Sequence, residues 1–150
     1  MSNPKPGPSG RRSTRKRGQA MVEFAMVLPI FMLVLSGVCD FGFMLYQRMT
    51  VINAAREGAR AAAMVSSAGA IESTATGAAQ SAAIQAGLTL SAVAVTCTHA
   101  STTIACTAAV VGDFVNVQTS YTYHTFFPLA FGSTFGLDSS VQMVLDSLGS

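Results

Sequence analysis

An uncharged apolar run near the N-terminus constrains this chain more than any other feature. Residues 24–39 read FAMVLPIFMLVLSGVC between Glu23 and Asp40, and apolar residues extend the run to 20–46. About 27 helical residues at about 1.5 Å each are enough to cross a hydrocarbon layer of roughly 30 Å. The run predicts one membrane-spanning helix, kinked at Pro29 but not ended there, because membrane helices tolerate proline.

Basic residues are concentrated before this run. The chain has nine Lys and Arg and seven Asp and Glu, and the sum after Gly18 is three basic against seven acidic residues, or −4. Six basic residues fall within positions 1–17: Lys5, Arg11, Arg12, Arg15, Lys16 and Arg17. Because basic flanks stay in the cytoplasm, the N-terminus is predicted inside and the remainder outside. Nucleic-acid binding is disfavoured, since the basic segment is not followed by a domain rich in basic and aromatic residues.

The segment 1–17 is rich in proline, glycine and charge, which predicts an unfolded leader. A cleaved secretory signal is the competing interpretation, since it shares the basic and apolar pattern. No A-x-A site closes the apolar run, and Val38 before Cys39 is unsuitable for a lipoprotein site. A retained helix is therefore preferred.

Helix-forming residues continue beyond the span to about Val65. Ala54, Gly58 and Ala62 repeat every four residues and form a ridge that lets another backbone approach closely. The alternative is an alanine-rich helix without a partner. After a break, residues 71–86 predict a second helix ended by Gly87.

The last third of the chain has the patterns of strands. Residues 115–123 alternate between apolar and polar side chains, as in a strand with one wet face. Further strands are predicted at 88–97, 104–111 and 139–146. The fold class is therefore α+β: a long N-terminal transmembrane helix that extends out of the membrane, then a small antiparallel β-sheet.

Residues that could carry chemistry are few. Cys97 and Cys106 bracket a short segment, and a turn between two strands would place them opposite each other, so a disulfide is predicted outside the cytoplasm. Cys39 is expected to be a small buried hydrophobe. His99 and His124 lack further ligands nearby, so no metal site is predicted. The kinase-like Asp-Phe-Gly at 40–42 stands alone, and neither an enzymatic activity nor a cofactor is predicted.

Glu23 requires an explanation, since a carboxylate in a hydrophobic helix costs a few kcal/mol unless it is paired. One interpretation places Glu23 at the level of the lipid headgroups, where water reaches the carboxylate. The other depends on its context, because Arg-Lys-Arg-Gly ends at Gly18 and Glu23 is the fifth residue after that glycine.

With these residues the chain resembles type IV prepilins, and more closely the TadE-like family of tight-adherence pilus assembly proteins. The resemblance covers about residues 17–63. It rests on RGQAMVEF at 17–24, the apolar run with its proline, DFG at 40–42 and NAAREGAR at 53–60. It implies a leader at 1–18, a transmembrane and extended helix at 19–66, and a small extracytoplasmic α+β domain at 67–150.

The resemblance further implies that a prepilin peptidase cuts between Gly18 and Gln19, and that Glu23 pairs with the free amine of a neighbouring subunit's Gln19. The product would be a minor pilin or pseudopilin of the inner membrane. Its expected partners are the membrane, the peptidase, other pilins and the assembly platform. The alternative is a single-pass envelope protein that keeps its leader and binds a partner or ligand through its C-terminal sheet.

Overall fold

The computed structural model describes residues 13–126, 128 and 132–148. Two helices precede a four-stranded antiparallel sheet, and short 3-10 turns lie at Ala68–Ala70 and Cys106–Ala108. The elements are α1 (Ser13–Ala63), α2 (Ile71–Gln85), β1 (Ala92–His99), β2 (Thr102–Ile104), β3 (Phe114–His124) and β4 (Thr134–Val144). The predicted fold class, a long apolar helix followed by a small antiparallel sheet, is confirmed.

Helix α1 is one uninterrupted element that continues through Pro29 and ends close to its predicted end. It begins at Ser13, within the segment 1–17 that was predicted to be unfolded, so that prediction is wrong for residues 13–17. Arg, Lys and Gln are good helix formers and the last proline of the leader is Pro8, so the helix can extend backwards to this point. Residues 1–12 of the predicted leader lie outside the described part of the chain.

Helix α2 occupies most of the predicted range and has a defined C-terminal cap. Gly87 adopts a φ of +76°, and its N–H donates to the Ile84 carbonyl at 2.9 Å. The Leu88 N–H reaches back to the Ala83 carbonyl at 2.9 Å, and the Leu88 side chain is buried. This is a Schellman cap, which satisfies the last carbonyls of the helix and requires a left-handed residue.

The sheet has the strand order β2-β1-β3-β4, and its helix-facing side is built from every second residue of the strands. On β3 the odd-numbered residues Val115, Val117 and Thr119 are completely buried. The register sets Val95, Val117 and Val141 side by side across three strands. These positions pack against α1 and α2 in one apolar core, which also includes Ile71.

The predicted strand at 104–111 is wrong except at Ile104. Strand β2 lies at the edge of the sheet and β3 lies on the other side of β1, so the chain must cross the end of β1 between them. Residues 105–113 make this crossing, with a 3-10 turn and a second turn at Gly112, whose φ is +95°. The strands predicted at 88–97 and 139–146 are present as β1 and β4, with shifted ends.

The ridge of small residues brings α1 and α2 into close contact. Ala54 and Ala62 are fully buried, and a Cβ added to Gly58 would lie 2.9 Å from the Ala75 carbonyl oxygen and 3.0 Å from the Ala79 Cβ. The backbone that approaches the ridge is therefore that of α2 in the same chain. A hydrogen bond of 3.1 Å from the Thr119 hydroxyl to the Val51 carbonyl ties β3 to the same helix.

Gly58→Ala should destabilise the domain although alanine favours helix. The helix gain is about 1 kcal/mol, while a methyl group forced against the α2 backbone costs about 1 to 3 kcal/mol. Gly77→Ala is the matched control, because Gly77 is exposed on α2 with nothing within 4 Å. Thermal unfolding of the full chain in detergent should show a lower midpoint for Gly58→Ala and an equal or higher one for Gly77→Ala. Equal stabilisation by both would contradict the close packing.

Candidate functional site

The N-terminal part of α1 projects from the domain as an apolar rod. Residues 18–39 are mostly exposed, and the apolar window of the helix segment Gly18–Ala63 is 0% buried. About 22 residues at about 1.5 Å each span roughly 33 Å, which matches the hydrocarbon layer. Large exposed side chains on this rod include Met21, Phe24, Ile30, Phe31, Val34 and Val38. The length and exposure indicate a single-pass membrane anchor.

Gly18 and Gln19 lie within the first turns of this rod, and both residues are exposed. No atom lies within 4 Å of a Cβ built on Gly18, so the folded chain does not require glycine there. Glycine is nevertheless among the poorest helix formers. The predicted scissile bond therefore lies at a locally weak and accessible point of the helix.

Glu23 is exposed one helical turn after Gln19, so the two side chains lie on one face of α1. With Gly18, Val22 and Met26 they line a shallow, open surface. Within the described part of the chain, Glu23 forms no ion pair. The carboxylate is thus exposed on the surface of the rod, where a group on another molecule can approach it.

Asp40 marks the point at which α1 meets the sheet. Its side chain is 5% exposed. The carboxylate Oδ1 accepts a hydrogen bond of 2.8 Å from the Tyr123 hydroxyl and one of 2.9 Å from the Phe126 backbone N–H. These bonds join the helix to the end of β3, and they compensate part of the cost of burying a charge.

This role was not predicted from the sequence, in which Asp40 was considered only as part of the Asp-Phe-Gly tripeptide at 40–42. A usable signal was present, since Asp40 is the one charged residue between Glu23 and Arg48. Burial, followed by the hydrogen bond to the carboxylate, raises the pKa of Tyr123 to about 12. Tyr123 therefore remains a protonated donor at any physiological pH.

The opposite end of the sheet carries a disulfide and a charged cluster. Cys97 and Cys106 are bonded, with their Cα atoms 5.1 Å apart. They are not directly opposite, because Cys97 pairs with Ile104 and a tight turn lies at Ala100 and Ser101. The sequence-based expectation of opposed cysteines on two strands is therefore wrong in register, and the disulfide instead joins β1 to the 3-10 turn.

Asp113 is buried beside this disulfide-bearing end. Its carboxylate accepts hydrogen bonds from the Val110 backbone N–H and from Nδ1 of the exposed His99 ring. The Val110 N–H lowers the pKa of Asp113 most, and His99 lowers it further, while burial acts in the opposite direction. His99 therefore has a structural partner in the crossing segment.

Residues 18–60 match the TadE-like protein family. The resemblance predicted for this segment is confirmed, and the matched range lies entirely within α1. No curated protein and no solved structure matches the chain.

Tyr123→Phe should destabilise the junction between α1 and the sheet by about 1.5 to 3 kcal/mol, the usual contribution of a hydrogen bond to a charged group. The phenyl ring keeps the packing but cannot donate to Asp40. Tyr121→Phe is the matched control, since Tyr121 lies two residues earlier on the same strand and its hydroxyl forms no hydrogen bond with the described residues. Denaturant unfolding of the two variants should separate them clearly. Equal effects would mean that the Asp40 contact contributes little.

Acid should weaken the folded state through Asp113. Because its pKa is lowered on folding, its stabilising contribution is present above the ordinary carboxyl pKa and is lost as pH falls through the folded value. The free energy of unfolding should therefore fall below about pH 4, and Asp113→Asn should make that fall shallower. Asp138→Asn, on the exposed face of β4, is the control that removes a carboxylate elsewhere. An unchanged pH profile in Asp113→Asn would contradict this assignment.

Proposed function

We propose that this chain, whose α1 carries the TadE-like match, is a minor pilin or pseudopilin-like structural subunit for assembly of a tight-adherence pilus. The observation that carries the proposal is the continuity of α1. One half of this helix is an exposed apolar rod that bears Glu23. The other half is the central helix of the domain, against which α2 and the sheet pack. Pilus assembly needs such a helix, because subunits must leave the membrane and pack through the same apolar surface.

The subunit would insert with its N-terminus in the cytoplasm and its sheet domain outside. The basic residues before Gly18 support this orientation, since Lys and Arg next to a span are retained on the cytoplasmic side. The disulfide between Cys97 and Cys106 agrees with it, because disulfides persist in oxidising compartments. The proposed location is the inner membrane, and the proposed partners are other pilins and the assembly platform.

Processing by a prepilin peptidase after Gly18 would create a free amine on Gln19. In an assembly, this amine would pair with Glu23 of a neighbouring subunit. Opposite charges about 4 Å apart attract by roughly 4 kcal/mol at an effective dielectric near 20, before the cost of desolvation is subtracted. The exposure of Glu23 supports this pairing, because its carboxylate is not buried inside its own subunit. The proposed role includes no catalytic step.

Gly18→Leu should block processing, because a peptidase subsite that fits glycine has no room for a branched side chain. Intact mass of protein purified from membranes of cells with a prepilin peptidase should show the full-length chain for this variant. The unmodified chain should lack residues 1–18. Gly42→Leu is the control, since it makes the same change in the same helix at a position with open space. An untrimmed unmodified chain would favour a membrane-anchored envelope protein that keeps its leader. Normal trimming of Gly18→Leu would contradict cleavage by a peptidase that requires glycine at this position.

Glu23→Gln should be inserted and cleaved normally but should assemble poorly. The amide keeps the shape of the side chain but cannot replace a charge in a desolvated pair. The measurement is co-purification with other pilins, scored only on cleaved protein. Glu57→Gln, an exposed carboxylate on the domain half of α1, is the matched control. Assembly of Glu23→Gln at the unmodified level would show that Glu23 only sits at the wet edge of the bilayer.

A further inference from the structure

Aromatic side chains surround the point at which α1 leaves the domain. Phe126, just after β3, is 67% exposed, and its ring centroid lies 5.5 Å from that of Phe43, which is 52% exposed. The hydrogen bond from the Phe126 N–H to Asp40 fixes this backbone against the helix. Phe41 and Phe135 are also exposed here. We name Phe41, Phe43, Phe126 and Phe135 the aromatic collar.

The position of the collar along α1 sets its depth in a membrane. The apolar rod of residues 18–39 accounts for roughly 33 Å at about 1.5 Å per residue, and the collar follows it directly. The collar therefore lies where the hydrocarbon layer gives way to headgroups, a boundary into which apolar rings such as those of phenylalanine can insert. The first charged residue after Asp40 is Arg48, more than two turns further along the helix.

An apolar cavity of about 290 Å³ lies within the same end of the molecule. Its lining includes Gly37, Met44 and two members of the collar, Phe41 and Phe135. The cavity thus begins on the rod and continues onto the sheet, and its exposed lining is almost entirely apolar although Asp40, Tyr123 and Thr125 also border it. Such a surface is continuous with the lipid-facing part of α1.

We infer that the end of the sheet rests on the bilayer surface, with Phe126 inserted at the boundary between headgroups and acyl chains. The partner is the phospholipid membrane itself. Contact through both the span and Phe126 would restrict tilting of the sheet domain, because two attachments remove a rotation that a single helix leaves free. The inference requires membrane insertion of α1 but does not require pilus assembly.

The opposite end of β3 provides an internal control for depth. Hydrogen bonds join the sheet to α1 at two distant points. The Tyr123 hydroxyl donates to Asp40, and the N–H of Asp146, just after β4, donates to the Ala63 carbonyl. Strands β3 and β4 therefore run alongside the helix. Phe114 pairs with Val144 at the far end and is 42% exposed. At about 3.3 Å per residue it lies roughly 40 Å along the strand from Phe126.

The chain contains no tryptophan, so a single Phe→Trp variant is an unambiguous fluorescent reporter. Phe126→Trp, Phe114→Trp and Phe31→Trp would be reconstituted as full chains in vesicles of phosphatidylcholine with brominated or unmodified acyl chains. Phe31 is an exposed residue of the rod and reports insertion. Brominated lipid should remove most of the emission of Phe31→Trp and Phe126→Trp, and leave that of Phe114→Trp unchanged. Circular dichroism would confirm equal folding of the variants.

Unquenched emission of Phe126→Trp beside quenched Phe31→Trp would overturn the inference. If that emission shifts to the blue only at high protein-to-lipid ratio, the collar binds a second copy of the chain instead. If the emission stays red at all ratios, the collar faces water. Loss of quenching in Phe31→Trp as well would overturn membrane insertion and the proposed function with it.

Discussion

The buried carboxylate of Asp40 is the contact on which the arrangement of this molecule depends. A charge at the end of a long apolar run must either reach water or find donors, because burying it unpaired is expensive. The Tyr123 hydroxyl and the Phe126 N–H supply those donors from the end of β3. The same bonds fix where the helix stops being a free rod and becomes part of a domain. The position of Asp40 therefore sets how much of α1 is left for the membrane span and how much packs inside the domain.

Beyond this point the helix is held by small residues rather than large ones. Ala54, Gly58 and Ala62 let α2 approach α1 so closely that a methyl group on Gly58 would collide with the α2 backbone. The sheet covers the other side of the pair and adds the hydrogen bond from Thr119. The first half of α1 therefore has an exposed apolar surface suited to lipid or to other helices, and the second half is the helix against which the sheet packs.

Local patterns account for what the sequence predicted. The length of the uncharged run at 24–39 predicts the membrane span, and the alternation of apolar and polar residues at 115–123 predicts β3. Gly87 ends α2, because only a residue in the left-handed conformation completes its cap. A turn between β1 and β2 was predicted, but its position was not, because Ala100 and Ser101 adopt positive φ without the usual glycine or asparagine. The crossing at 105–113 escaped prediction because strand order is a property of the whole sheet. The role of Asp40 escaped because its donors lie 83 or more residues away in the chain.

The central claim is that α1 passes from lipid to domain at Asp40. Val34 and Met49 test it directly, since they are similarly exposed, at 59% and 63%, on either side of that point. Nitroxide labels would be placed at Val34→Cys or Met49→Cys in a Cys39→Ser chain reconstituted in vesicles. The account predicts that the label at 34 relaxes with oxygen dissolved in lipid and the label at 49 with a water-soluble nickel complex. Water-accessible labels at both positions, or lipid-accessible labels at both, would contradict it.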